Sequence, residues 1–214
     1  MTTRRRSAAK VWTAVDFEFD LGVPLDGDRA VATVEGGPLQ GRRVALCVCG
    51  GIAAYRTPDL LRALRKAGAS CVCYCTPTAL TFVTAQAIEW AAASPPVVDL
   101  DGRAAHVEPP GGVAIDLWLV APATASTLAK LALGIGDNAV STALCAAIGQ
   151  LERGQTRIAV APAMHGAMLN SITRGHLATL ANLGVEVLAP RGEDGKAKLA
   201  EPAVLVAQVA RLMS

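Results

Sequence analysis

The sequence predicts an α/β fold, a Rossmann-like (flavodoxin-like) doubly wound parallel sheet, and three observations predict it. From Val44 onward, short apolar runs of strand length alternate with segments whose apolar residues recur at helical spacing. The runs are continuously hydrophobic, as strands buried on both faces are. The pattern opens with Val44 to Lys66, VALCVCGGIAAYRTPDLLRALRK, which reads as strand, glycine turn, helix.

In chain order, strands are expected at 44–49, 70–75, 97–100, 116–121, 157–161 and 185–189. Helices are expected near 52–67, 78–84, 85–92, 124–132, 137–149, 170–183 and 201–213. In the first helix Leu60, Leu61 and Leu64 mark the buried stripe. Pro58 either kinks a helix begun near Ile52 or starts one capped by Thr57. Residues 1–41 read as an N-terminal extension. Within it, Trp12 to Phe19 and Ala30 to Val34 alternate around the turn signal Asp26-Gly27-Asp28, which suggests a β-hairpin. Residues 42–214 form the expected domain.

Composition bounds the function. The chain has 214 residues, 52% of them hydrophobic and 18% charged, with a formal net charge of +2. One core accounts for that length, and the low charge suggests that apolar surface is covered by other copies of the chain. Near-neutrality implies no nucleic-acid partner. Apolar runs end well before the roughly 20 residues that a bilayer needs, and no secretory signal is evident, so no membrane and a cytoplasmic location are expected.

Six cysteines fall mostly on two expected strands: Cys47 and Cys49 on the first, Cys71, Cys73 and Cys75 on the next, with Cys145 on a later helix. Alternation puts each strand's set on one face, so neighbouring strands could bring the two sets together. C-x-C-x-C on a strand nevertheless offers poor tetrahedral geometry, and no metal is expected. The cysteines read as small buried hydrophobes.

In doubly wound sheets the ligand lies beyond the carboxyl ends of the strands. The loops of interest are therefore Gly50-Gly51-Ile52, Thr76-Pro77-Thr78, Ala121 to Thr124, and Ala161 to His165. Glycines let a ligand approach the backbone, and a helix N-terminus favours a phosphate. The absence of GxGxxG followed by an acidic residue points to a mononucleotide such as a flavin phosphate rather than a dinucleotide.

CGGIAAYR, TPTALTFVT, His106, VAPATASTLAKLALGIGDNAVST, VAPAMHGAM and the late LAEP occur here in the order of the landmarks of the homo-oligomeric flavin-containing cysteine decarboxylases. The chain resembles that family over about residues 42 to 213. The family includes phosphopantothenoylcysteine decarboxylase and the peptidyl-cysteine decarboxylases of lantibiotic-type biosynthesis. The resemblance implies FMN bound between subunits of a trimer or dodecamer. It places Gly50, Gly51, Ile52, Thr76 and Thr78 around the FMN phosphate and ribityl chain, and Ala123, Thr124, Ser126 and Thr127 at the flavin ring. Asp137 and Asn138 would share that neighbourhood. His106 matches the catalytic histidine. Met164 and His165, with Lys196 and Lys198 of the covering segment, would meet the substrate.

The chain departs from the family pattern at three places. Ser126 and His165 stand where the family has asparagines, the second of which holds the substrate carboxylate; an imidazole can still donate to a carboxylate, and an imidazolium would do so with a pH dependence. The covering segment Arg191 to Lys198 lacks the cysteine that phosphopantothenoylcysteine decarboxylases use to reduce their enethiolate. The resemblance therefore implies an FMN-dependent oxidative decarboxylase of a C-terminal peptidyl cysteine that stops at the enethiol. The alternatives are a phosphopantothenoylcysteine decarboxylase of coenzyme A biosynthesis, acting on a small cysteine-containing substrate, and a non-catalytic FMN-binding regulatory subunit.

Overall fold

A computed structural model of the chain describes residues 36–102, 104–193 and 195–214. The expected N-terminal hairpin lies outside the described residues. The packed domain reaches upstream of residue 42: Leu39 is fully buried, and its N–H donates to the carbonyl of Ala67 at 2.8 Å.

Five parallel strands make the main sheet. They are β1 (Arg43–Val48), β2 (Ser70–Cys75), β3 (Leu117–Ala123), β4 (Arg157–Pro162) and β6 (Glu186–Val187), in the order β2-β1-β3-β4-β6. That order reverses direction between β1 and β3, which opens the crevice where such sheets take their ligand. Both faces are covered. Helices α1 (Thr57–Lys66), α2 (Ala85–Ala92) and α6 (Pro202–Met213) pack against Val44, Leu46 and Val48 on one face. Helices α3 (Ala125–Leu133), α4 (Ala139–Glu152) and α5 (Ser171–Asn182) pack against Ala45, Cys47 and Trp118 on the other. Alternation along β1 thus serves two apolar cores, which is why the strand reads as one unbroken hydrophobic run.

Several expected elements are shortened, each for a visible reason. The run at 97–100 makes only a one-residue parallel bridge, Val97 to Tyr74. Its parallel partner β2 ends at Cys75, one residue past the bridge, and the chain turns into a 3₁₀ segment at Pro77, so residues 99 and 100 have no strand beside them; Pro95 and Pro96, which have no N–H, limit pairing on the other side. The first helix divides into a 3₁₀ segment, Ile52–Arg56, and α1, whose first turn carries Pro58. Arg56 rather than Thr57 occupies the capping position, and the Thr57 hydroxyl is buried without a partner among the described residues. The expected helix at 78–84 is a 3₁₀ turn, Pro77–Thr81, capped by Thr76. α4 begins after residue 137 because Asn138 caps it.

A second sheet was not expected. Strands β5 (Met164–His165), β7 (Arg191–Glu193) and β8 (Lys196–Lys198) form a small antiparallel sheet in the order β5-β8-β7. It folds the segment after Leu188 back over the loop that follows β4.

The two cysteine sets lie on opposite faces of the main sheet. β1 and β2 are neighbours in register, Leu46 opposite Cys73 and Cys47 opposite Tyr74, so the odd-numbered cysteines of β2 share a face with the even-numbered residues of β1. Cys71, Cys73 and Cys75 join the α1 core, and Cys47 and Cys49 join the α4 core. Among the described residues no group of side chains could hold a metal ion, and no helix is long and apolar enough to cross a membrane.

Candidate functional site

Three loops meet at the carboxyl ends of β1, β2 and β3. A Cβ built on Gly50 would lie 2.5 Å from Thr78 Cβ, and one on Gly51 would lie 3.3 Å from Thr124 Cγ2. Glycine is required at Gly50 because the loop after β2 occupies the space of a side chain. These contacts bring together Gly50, Gly51, Thr78 and Thr124. Thr76 joins them through its N–H, which donates to Val48 O at 3.0 Å. The Thr124 hydroxyl caps α3, accepting from Thr127 N at 3.4 Å, and the two threonine hydroxyls lie 3.2 Å apart. Ala123 is buried beneath this cap and Ser126 is exposed on the first turn of α3. The positive end of α3 therefore faces the glycine loop, an arrangement suited to an anionic or electron-rich ligand.

Asp137 and Asn138 are engaged in structure. Asn138 Oδ1 accepts from Ser141 N at 3.1 Å, while Ser141 Oγ accepts from Asn138 N at 3.1 Å. This is a reciprocal capping box. Asp137 pairs with Lys130 at 2.7 Å and accepts from Ser141 Oγ at 3.0 Å. The Lys130 ammonium and the Ser141 hydroxyl hold its carboxyl below the usual range. Both side chains thus fix the start of α4 and the end of α3.

Beside the glycine loop opens a cleft of about 490 Å³, whose walls are Ile52, Ala53 and Tyr55 on one side and the small sheet on the other. Met164, His165, Lys196 and Lys198 all line it, so the structure gathers the four expected substrate residues. His165 caps the short turn that follows it, its Nδ1 accepting from Ala167 N at 3.2 Å. In the neutral ring the nitrogen that accepts carries no proton, so Nε2 is the one left to donate to a ligand.

Arg56 and Arg191 also line the cleft, which the sequence analysis did not single out as site residues. Glu201, at the N-cap of α6, pairs with both: with Arg56 through a close bidentate contact, and with Arg191 Nη1 at 2.9 Å. Glu193 pairs with Arg191 Nη2 at 2.6 Å and with Lys198. The glutamates themselves do not line the cleft. Arg56 lies in GGIAAYR and Glu201 in LAEP, two quoted landmarks that are 145 residues apart.

His106 stands apart from the cleft. It lies in the segment between α2 and β3, half-buried, with Nδ1 enclosed and unpartnered among the described residues. The Tyr74 hydroxyl donates to Ala105 O at 2.6 Å and ties that segment to β2. Within one chain the structure therefore groups the glycine and threonine loops with the cleft, and does not bring His106 to them.

The Flavoprotein family matches residues 33–214. The chain belongs to the Flavoprotein family. It is 37% identical over 176 residues to the coenzyme A biosynthesis bifunctional protein CoaBC of Thermococcus kodakarensis, across 81% of this chain and 42% of that protein. The chain thus spans less than half the length of this curated relative. Among solved structures it resembles the FMN-dependent cysteine decarboxylase TvaF from thioviridamide biosynthesis (TM-score 0.63, 29% identity, 81% of this chain and 98% of that one). It also resembles a cysteine-to-serine variant of a PPC decarboxylase complexed with pantothenoylaminoethenethiol (TM-score 0.65, 25% identity, 80% and 97%).

Proposed function

We propose that this protein is an FMN-dependent cysteine decarboxylase whose substrate is phosphopantothenoylcysteine or a close analogue. One observation carries the choice of substrate: among the described residues the wall of the cleft beside the glycine loop carries four cations, Arg56, Arg191, Lys196 and Lys198, against two paired glutamates set behind it, Glu193 and Glu201, which leaves an excess of positive charge. Such a cleft favours a substrate with a phosphate as well as a carboxylate over a peptide with its terminal carboxylate alone. The CoaBC relatives support the same choice, and it takes precedence over the peptide reading expected from the sequence.

The residues present fit FMN. Gly50 leaves no room for a side chain against Thr78, the α3 N-terminus faces the same crevice, and Thr76, Thr124 and Ser126 offer hydroxyls there. When bound, FMN supplies the two-electron acceptor that lets a cysteine side chain be oxidised, giving the carboxylate an electron sink for loss of CO2. His165 and the cleft cations orient the carboxylate, and His106 takes the thiol proton. Exposed Ile52, Tyr55, Leu133 and Ile135 give apolar surface for a homo-oligomer, a trimer or a dodecamer, in which His106 of a neighbouring copy completes the site. A cytoplasmic location belongs to this reading.

The peptidyl-cysteine reading keeps one observation of its own, the absence of cysteine from the β7–β8 hairpin, together with the likeness to TvaF. Mass spectrometry after incubation with each substrate decides. Phosphopantothenoylcysteine should be consumed and a peptide ending in cysteine left intact. The product should be lighter by about 46 Da, for CO2 and two hydrogens, if the missing hairpin cysteine stops the reaction at the enethiol. Turnover of the peptide alone would reverse the assignment, and turnover of neither would favour a silent FMN-binding subunit.

A further inference from the structure

A second cavity, of about 410 Å³, lies at the amino end of β2, at the opposite end of the sheet from the glycine loop. Arg65 stands in its wall and is only 8% exposed. Among the described residues its one hydrogen bond runs from Nη1 to Ala91 O at 3.0 Å, and no carboxylate pairs with it. A buried guanidinium without a counter-charge is costly, so this one calls for an anion. Arg43 lines the same cavity, and its guanidinium donates to the carbonyls of Pro110 and Val113. Asp116, the carboxylate at hand, is engaged by Arg42 and by the backbone N–H of Arg43. Ser94, also in the wall, has its hydroxyl oxygen enclosed and unpartnered among the described residues.

The main sheet has an open edge at the same place. Ser70 N donates to Arg42 O and Thr76 N to Val48 O, so the even-numbered residues of β2 turn their backbone groups toward β1, and Cys71, Cys73 and Cys75 turn theirs outward. Val97 takes Cys73 O and Cys75 N. Among the described residues nothing takes the outward groups of Cys71, which stands in the cavity wall. Unpaired edge groups are a template for an added extended segment.

We infer that this cavity is the docking site of the chain's own N-terminal segment, with the carboxylates of Asp16, Glu18 and Asp20 meeting Arg65 and Arg43 and the segment running along the open edge at Cys71. The point of entry, the charge and the length choose this occupant. The chain enters the described domain beside the cavity: Leu39 N donates to Ala67 O, a Cβ on Gly68 would lie 2.8 Å from Gln40 Cα, and the next two residues, Ala69 and Ser70, line the wall. Trp12 to Asp20, WTAVDFEFD, alternates carboxylates with Phe17 and Phe19, the pattern of an extended segment with one acidic face. Asp20 is 16 residues before Gly36, and an extended chain spans about 3.3 Å per residue, so the tether reaches the cavity with slack. Such a tether presents its carboxylates at roughly millimolar effective concentration.

Hydrogen exchange of the full-length protein at low ionic strength, read by mass spectrometry on the peptide covering residues 11–20, tests the docking. In wild type these amides should exchange at least about tenfold more slowly than in an unstructured chain, the effect of one or more charge-assisted contacts. Combined Asp16→Asn, Glu18→Gln and Asp20→Asn, which leave the packed domain untouched, should restore the fast rate. Arg65→Met should do the same while the main sheet stays protected, and about 0.5 M sodium chloride should release the segment in wild type. Unprotected residues 11–20 in wild type overturn the docking. So does protection that survives the triple substitution, which would mean that the carboxylates hold nothing. Protection that grows with protein concentration assigns the cavity to the segment of a second copy and overturns docking within one chain.

Discussion

The hydroxyl of Tyr74 donates to the carbonyl of Ala105 at 2.6 Å, one residue before His106. Tyr74 stands on β2 with its ring tilted against Trp118, centroids 5.2 Å apart, and burial pushes its phenol well above the ordinary range. The hydroxyl is therefore a fixed donor at any working pH. It anchors the backbone that presents His106. Tyr74→Phe should retain FMN and leave KM nearly unchanged while lowering kcat about tenfold, through loosened placement of the base. His106→Asn should lower it by roughly 100- to 10,000-fold, the usual contribution of general-base catalysis. Stopped-flow measurement of flavin bleaching on mixing with substrate separates the two, and equal rates for Tyr74→Phe and wild type would make the contact purely structural.

Gly50→Ala tests the cradle. The added methyl would meet Thr78 Cβ at 2.5 Å, so the loop after β2 must move. Overpacking of this kind costs about 1–3 kcal/mol, which corresponds to roughly 10- to 100-fold in FMN affinity if the strain is felt in the bound state. Flavin fluorescence titration measures it. Affinity equal to wild type would remove Gly50 from the cofactor site.

The Arg56–Glu201–Arg191 network should make the small sheet sensitive to acid. Arg56 first, and then Arg191, hold the Glu201 carboxyl below its usual range, and Lys198 does the same for Glu193. A carboxyl whose folded pKa is depressed contributes stability above its unfolded value and loses it as pH falls through the folded one. Hydrogen exchange of the β7–β8 hairpin, relative to the main sheet, should accelerate between about pH 5 and pH 3 and also with added salt. Glu201→Gln should show the fast exchange already at neutral pH. Protection independent of both pH and Glu201 would show that apolar contacts of Ala197 and Leu199 alone hold the hairpin.

The strand cysteines should be inert in the native protein. Burial pushes the Cys49 thiol up to about 11 and Cys71 to about 12 and raises Cys47 well above the ordinary value, while the contact with the Cys75 sulfur at 3.6 Å, and then burial, does the same for Cys73. Reactivity requires the thiolate. Native alkylation at pH 8 should label Cys145, which is partly exposed, and spare the other five until the protein unfolds. Rapid native labelling of Cys73 or Cys75 would mean that the α1 face of the sheet opens locally.

The α/β class and the glycine loop were legible because they are written in local pattern: continuous apolar runs, helical leucine spacing and paired glycines all concern neighbours in sequence. The short third run was overestimated, since its partner strand ends one residue past the Tyr74–Val97 bridge, which an apolar count does not register. The cysteine pattern was misjudged in one respect. Alternation correctly put each set on one face, but only the register of Leu46 with Cys73 turns the two sets to opposite sides of the sheet.

The sequence by itself determined the alternation of buried strands and covering helices, the glycine loop that leaves no room for a side chain, and the lack of cysteine from Arg191 to Lys198, because each is carried by residue type and short-range spacing. Tertiary structure alone decided that Glu201 neutralises Arg56 and Arg191, that Lys196 faces His165, and that Tyr74 anchors the segment holding His106. Those relationships join residues 10 to 145 positions apart, or depend on the register of a hairpin three residues wide. Hydrophobic periodicity fixes which face of an element is buried; it does not fix which charged side chains meet once the elements have packed.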